Sequence, residues 1–107
     1  MLDVHVEYRQ TDPPTTVVRC VGEVDVSSCD TLIDAFDRLL TRNGSGCRVD
    51  LRAVSFIDST GIGCLLHAAI AADKLGVPFQ IVPGEATLRF ITTSGVGKRL
   101  PLTADGD

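Results

Sequence analysis

The sequence contains no run of Lys or Arg longer than two residues, and Lys98-Arg99 is the longest. Gripping a phosphate backbone takes clustered cations. With a formal net charge of −4, the chain has no footprint for nucleic acid. A secretory signal is missing too: MLDVHVEY lacks a basic segment followed by a long apolar run. The longest helix-like apolar stretch, 62–72, is interrupted by Gly63 and His67. It falls short of the roughly 20 residues a bilayer span needs. The expectation is a soluble, cytoplasmic protein with neither membrane nor nucleic-acid partners. Cysteine is sparse and irregularly placed. Cys20, Cys29, Cys47 and Cys64 form no C-x-x-C pair, and His5 and His67 are the only histidines. No metal site is expected from that spacing. Without a secretory signal, a disulfide scaffold is not expected either. The cysteines read as small buried apolar side chains, with Cys29 open to a redox role because it sits near a helix start.

What is present suits one compact domain spanning 1–107, since 107 residues with 44% hydrophobic content can build a single core and not two. DVHVEYR alternates Val4, Val6 and Tyr8 against His5, Glu7 and Arg9, the pattern of a half-buried strand. TDPPTT is a turn, and TVVRCVG is a second strand expected to pair antiparallel with the first. Ser27 or Ser28 then caps a helix carrying Leu32, Ile33, Phe36, Leu39 and Leu40 inward, stopped at RNGSG by Gly44 or Gly46. CRVDLRAVSFI is a third strand. A second helix starts near Asp58 or Ser59, with a stripe of Ile62, Leu65, Leu66, Ala69 and Ile70, and ends at Leu75-Gly76 before Pro78. FQIV is a fourth strand. EATLRFITTSG is a third helix with Leu88 and Ile91 inward, KRLPL a short edge strand, and about 103–107 a frayed tail. The order β-β-α-β-α-β-α-β predicts an α/β fold, a mixed but mostly parallel sheet of four to five strands with covering helices.

Functional groups in such sheets gather beyond the carboxyl ends of parallel strands. FIDSTGIG, 56–63, occupies that position between the third strand and the second helix. If Asp58 caps the helix, Ser59 is its first residue, and the Ser59 hydroxyl projects near backbone amides and the positive end of the helix dipole. A phosphate there would gain about 0.3–2 kcal/mol from the helix end, against repulsion from Asp58. Gly61 and Gly63 each cost roughly 1 kcal/mol against alanine in a helix. Either another molecule approaches this turn closely or the helix packs tightly on its sheet. Ile62 is expected near the centre of a partly apolar docking face.

The segment VDLRAVSFIDSTGIGCLLHA resembles the signature of the STAS domain family, in particular its bacterial anti-sigma factor antagonists. GEVDVSSCDTL is similar to the family's G-E-apolar-D segment and first helix, and ATLRFITTSGVGKRLPL to its closing helix, turn and strand. The resemblance implies a single STAS-like domain that is no enzyme and needs no cofactor or metal. Its unphosphorylated form would bind an anti-sigma factor with ATP-dependent serine kinase activity and so free a sigma factor. Phosphorylation on Ser59 would end binding, and a serine phosphatase would restore it. Carried over residue by residue, Ser59 is the acceptor. Asp58, Thr60, Gly61, Ile62 and Gly63 form its turn, and Gly22, Glu23 and Asp25 complete the partner face. The chain departs from the family pattern in three places. Thr60 adds a second hydroxyl beside Ser59, Cys64 replaces a larger aliphatic residue, and VDVSSCD is polar where many relatives carry alanine. The family also includes modules tied to anion transporters, lipid transport and stress complexes.

Two other chemistries fit parts of the same segment. A serine hydrolase elbow, G-x-S-x-G, would need glycine where Ile57 stands, and a base. His67 lies about 12 Å of helix rise beyond Ser59. GVGKR fails as a phosphate loop, because Thr92 and Arg99 occupy the glycine and hydroxyl positions. Asp25, Asp50 and Asp58 have no recognisable metal-ligand spacing. An anion- or nucleotide-binding module using the amides of 59–61 fits the same geometry. It predicts a bound anion and an unmodified serine.

Overall fold

A computed structural model of the chain describes residues 1–41, 45–95 and 99–103. In chain order the elements are β1 (Leu2–Arg9), β2 (Thr15–Val24), α1 (Cys29–Leu40), β3 (Gly46–Ile57), α2 (Ser59–Leu75), β4 (Phe79–Val82) and α3 (Glu85–Ser94). The sheet runs β1-β2-β3-β4, with β1 antiparallel to β2 and the other neighbours parallel. This is the expected mixed α/β sheet.

Period-two patterning divides the sheet into two faces. Register pairs Thr16 with Cys47 and Val18 with Val49, and all four are buried. Val18, Cys47 and Val49 join Leu32, Phe36, Leu65 and Ala68 in one core, where the Phe36 and Phe79 rings meet edge to face at 6.0 Å. The opposite face carries charge. His5, Arg19 and Asp50 lie in one register row, and an ionic chain links Arg9, Glu7, Arg19, Asp50 and Arg52 at 2.8–3.4 Å. This chain explains how Asp50 is only 6% exposed. Arg52 donates to both of its oxygens, from Nε and Nη2. That pairing, countered in part by burial, holds the Asp50 carboxyl below the ordinary aspartate range.

Several details differ from the sequence-based expectation. Val6 and Tyr8 are exposed because no described element covers their end of β1. On α2 the buried side chains are Ile62, Cys64, Leu65, Ala68 and Ala72, whereas Ile70 is half exposed. The inward stripe is thus rotated toward the small residues that let α2 approach the sheet. On α3 Thr87 and Ile91 turn inward and Leu88 faces out. Gly46 does not cap α1 but opens β3, and Gly44 lies outside the described residues. In place of a fifth strand, an isolated parallel bridge joins Leu102 to Ile81. Pro101, lacking an N–H, contributes only its carbonyl, which accepts from the Ile81 amide. Lys98 and most of the expected tail, 104–107, fall outside the described residues. Among the described residues no helix is long and apolar enough to cross a membrane.

Candidate functional site

The site forms where β2 and β3 end together. Register sets Glu23 beside Phe56 and Val24 beside Ile57, so the chain leaving β2 lies against the chain entering α2. Two irregularities interrupt the β2–β3 pairing there, between Arg19 and Val21 and between Gly22 and Glu23. Such bulges bend a strand and redirect its final residues. Gly22 adopts φ +115°, and a Cβ on it would collide with the Met1 carbonyl oxygen, so no other residue fits without strain.

At the α2 tip, Asp58 is extended (φ −120°, ψ −172°), and its Oδ1 accepts from the Gly61 amide at 2.9 Å. This is the N-cap the sequence predicted. It makes Ser59 the first helical residue, and Ser59 and Thr60 are both exposed. The Asp58 amide donates to the Val24 carbonyl at 3.4 Å, tying the tip to the end of β2. The two glycines have different reasons. A Cβ on Gly61 would strike the Val24 carbonyl oxygen and come within 2.9 Å of Ile57 Cγ1, so Gly61 allows tight seating of the helix. A Cβ on Gly63 would meet nothing within 4 Å. Packing does not require glycine there, and its absent side chain leaves a low surface one turn beyond Ser59.

The neighbouring turn is built from hydroxyls and one carboxylate. Asp25 Oδ1 accepts from the Ser27 amide at 3.0 Å and from Ser27 Oγ at 2.6 Å. The Ser27 hydroxyl bond is the leading cause that keeps the Asp25 carboxyl below its ordinary range. Ser28 Oγ accepts from the Asp25 amide at 3.0 Å and faces the carbonyls of Glu23 and Asp25, each at 3.2 Å. VDVSS is polar because those serines fold the turn. Val26 is left 74% exposed at its apex, and Phe56 is 47% exposed on β3.

Gly22, Glu23 and Asp25 thus lie at the end of β2 and in the turn after it, and Asp58, Ser59, Thr60, Gly61 and Gly63 at the start of α2, the two segments joined through the Asp58 amide and the Val24 carbonyl. Ile62 does not join them. At 5% exposure it belongs to the core with Leu65, because helical geometry turns it toward the sheet that Gly61 contacts. Val26, at the apex of the neighbouring turn, is the exposed apolar side chain there, while Phe56 lines a cleft with Ala86, Arg89, Phe90 and Thr93 of α3. Sequence reasoning did not single them out, since a lone apolar residue in a turn has no periodicity to betray it. It also missed a covalent contact. Cys29 and Cys64 form a disulfide, contrary to the expectation of unlinked cysteines. No local motif announces a pair 35 residues apart. Cys20 and Cys47 are buried free thiols, as read from the sequence. His5 and His67 are both exposed, and His67 sits two turns along α2 from Ser59.

Comparison with known proteins bears on the same segments. Residues 8–103 match the family model described as "Mlab, STAS domain". Among curated proteins, the anti-sigma-B factor antagonist of Listeria monocytogenes is 27% identical over 67 residues, covering 63% of this chain. The aligned region spans 59% of that relative's length. A crystal structure of an anti-sigma factor antagonist from Mycobacterium paratuberculosis superposes with a TM-score of 0.73 at 29% identity, covering 94% of this chain and 85% of the other. The phosphorylated form of the Bacillus cell-fate determinant SpoIIAA shares the fold, with a TM-score of 0.68 at 18% identity over 96% and 93% of the two chains. With a family match running from the end of β1 to the bridge at Leu102, and a fold that superposes on these structures, the chain belongs to the STAS domain family.

Proposed function

We propose that this protein is an anti-sigma factor antagonist controlled by phosphorylation of Ser59. In this reading the unmodified protein binds an anti-sigma factor that is also an ATP-dependent serine kinase, and so releases a sigma factor. A serine phosphatase resets the switch, the exchange takes place in the cytoplasm, and the protein itself catalyses nothing. The names of the Listeria and mycobacterial relatives support the regulatory class. The observation that carries the residue assignment is the exposed hydroxyl of Ser59 at the first position of α2, with Asp58 capping Gly61.

The physical basis is local. The amides of Ser59 and Thr60 belong to the first turn of a helix, where no intrahelical acceptor exists. Together with the dipole they favour an anion by about 0.3–1 kcal/mol. A phosphate on Ser59 therefore leaves the fold intact while adding about −1.5 to −2 charges to the surface. On a docking face that includes Val26, a desolvated unpaired charge is strongly unfavourable. Asp25 and Asp58 add negative charge at this end, and Glu23 already engages the N-terminal ammonium at 3.1 Å, so the added phosphate charge meets repulsion there. Gly63 lets the kinase's active site come close to the acceptor.

The reading is tested by incubating the protein with its cognate kinase and ATP and measuring intact mass. Wild type and Thr60→Ala should each gain one phosphate, and Ser59→Ala should gain none while still binding the kinase. Phosphate on Ser59→Ala at unchanged stoichiometry would move the acceptor to Thr60 or elsewhere. A bound anion with no covalent phosphate on any variant would favour an anion-binding module.

A further inference from the structure

We propose that Cys29 and Cys64 are a reversible thiol-oxidation site that locks the start of α1 to the α2 tip. The pair is a dithiol under reducing conditions and closes to the observed disulfide on exposure to peroxide or a low-molecular-weight disulfide.

The four cysteines divide sharply. Cys20 and Cys47 are buried in the sheet and unlinked. Burial pushes both thiols up to about 12, so neither supplies thiolate at neutral pH. Cys29 and Cys64 sit at the site end of the molecule with Cα atoms 6.1 Å apart, within the span a disulfide bridges without backbone movement. Cys29 is the half-buried first residue of α1 and comes directly after the Asp25–Ser28 turn. Cys64 is buried in the second turn of α2, five residues beyond Ser59.

The two helix starts are held differently, and this gives the link its consequence. Asp58 caps α2 with a carboxylate bond to Gly61. Ser28, at the N-cap of α1, makes no side-chain bond to that helix, because its hydroxyl is committed to the backbone of Glu23 and Asp25. An uncapped first turn frays readily. The disulfide supplies the restraint that a capping side chain would otherwise give.

With hydrogen peroxide the chemistry takes two steps. The more exposed Cys29, as thiolate, attacks one peroxide oxygen; the O–O bond breaks and hydroxide leaves, giving a sulfenic acid. Cys64 then attacks that sulfur, the S–S bond forms, the S–O bond breaks, and water leaves. Both sulfurs are oxidised and the peroxide becomes two waters. With a small disulfide as oxidant, two thiol–disulfide exchanges release two small thiols. Any effect of the lock on partner docking rests on the functional reading above, but the lock itself does not.

The test uses the purified chain alone, equilibrated across glutathione redox buffers, quenched with acid, alkylated, and analysed by intact mass and peptide mapping. Amide hydrogen exchange is then measured on the two end states. The expected result is one reversible two-electron transition confined to Cys29 and Cys64, with amides of 26–31 exchanging at least about tenfold faster in the dithiol. Cys29→Ser and Cys64→Ala should lack the transition and exchange like the dithiol. If the buried Cys64→Ala does not fold, Cys29→Ser alone carries this arm. The proposal is overturned if no intramolecular disulfide forms, if the link involves Cys20 or Cys47, or if exchange is the same in both states. Because no kinase or anti-sigma partner enters the experiment, its failure leaves the Ser59 assignment standing, and failure of that assignment leaves this result unchanged.

Discussion

Gly61 and Gly63 read alike in the sequence, yet their surroundings make opposite demands. Gly61→Ala drives a methyl group into the Val24 carbonyl. Backbone there is pinned by sheet pairing, so the variant should be destabilised by about 1–3 kcal/mol despite alanine's better helix propensity. Gly63→Ala meets open space and should be stabilised by about 1 kcal/mol. Chemical denaturation of both variants checks the contrast, and equal effects would contradict the packing described. If the low surface at Gly63 serves close approach, that alanine variant should also be phosphorylated more slowly. Legibility at this scale tracks the range of the interaction involved. Asp58, Ser59 and Thr60 were readable because capping acts over three residues. Ile62, Val26 and the Cys29–Cys64 link were not, because rotation of α2 and contacts between distant segments decide them.

At the level of elements, hydrophobic patterning and turn signals together located the helices and sheet strands among the described residues, and the parallel order came from strand–helix alternation. Patterning failed where an element is short or amphipathic in an ambiguous way. KRLPL contributes a single bridge at Leu102, since Pro101 cannot donate to a ladder. On α3 the sequence pattern favoured Leu88, but the structure buries Thr87, whose Oγ1 has no hydrogen-bond partner among the described residues. Burying a hydroxyl without a partner is unfavourable, and valine has nearly the same shape. Thr87→Val should therefore raise stability by about 1 kcal/mol, seen as a higher denaturant midpoint at unchanged slope. A lower midpoint would show that the hydroxyl is satisfied after all.

For the whole molecule, acid sensitivity arises from the ionic chain across the open sheet face. Arg52, and then Arg19, hold the Asp50 carboxyl below its ordinary range, and Arg9 and Arg19 do the same for Glu7. A carboxylate whose pKa is depressed by folding contributes stability that is present above its unfolded value, and loses it as pH falls through the folded one. Unfolding free energy should be steady from neutral pH down to about 5 and decline below about pH 4, where unfolded Asp and Glu titrate. Asp50→Asn should be less stable by about 1–3 kcal/mol at neutral pH and show a shallower decline in acid. An unchanged acid profile would remove Asp50 from the explanation. Fold and acid response belong to the scaffold, while the proposed regulation would reside in the Ser59 hydroxyl at its edge. The most direct measurement is calorimetric: the affinity of the cognate anti-sigma factor for the unmodified protein and for protein stoichiometrically phosphorylated on Ser59. The prediction is binding weakened by at least about tenfold, equivalent to about 1.4 kcal/mol, with thermal stability nearly unchanged. Equal affinity of the two forms would contradict it.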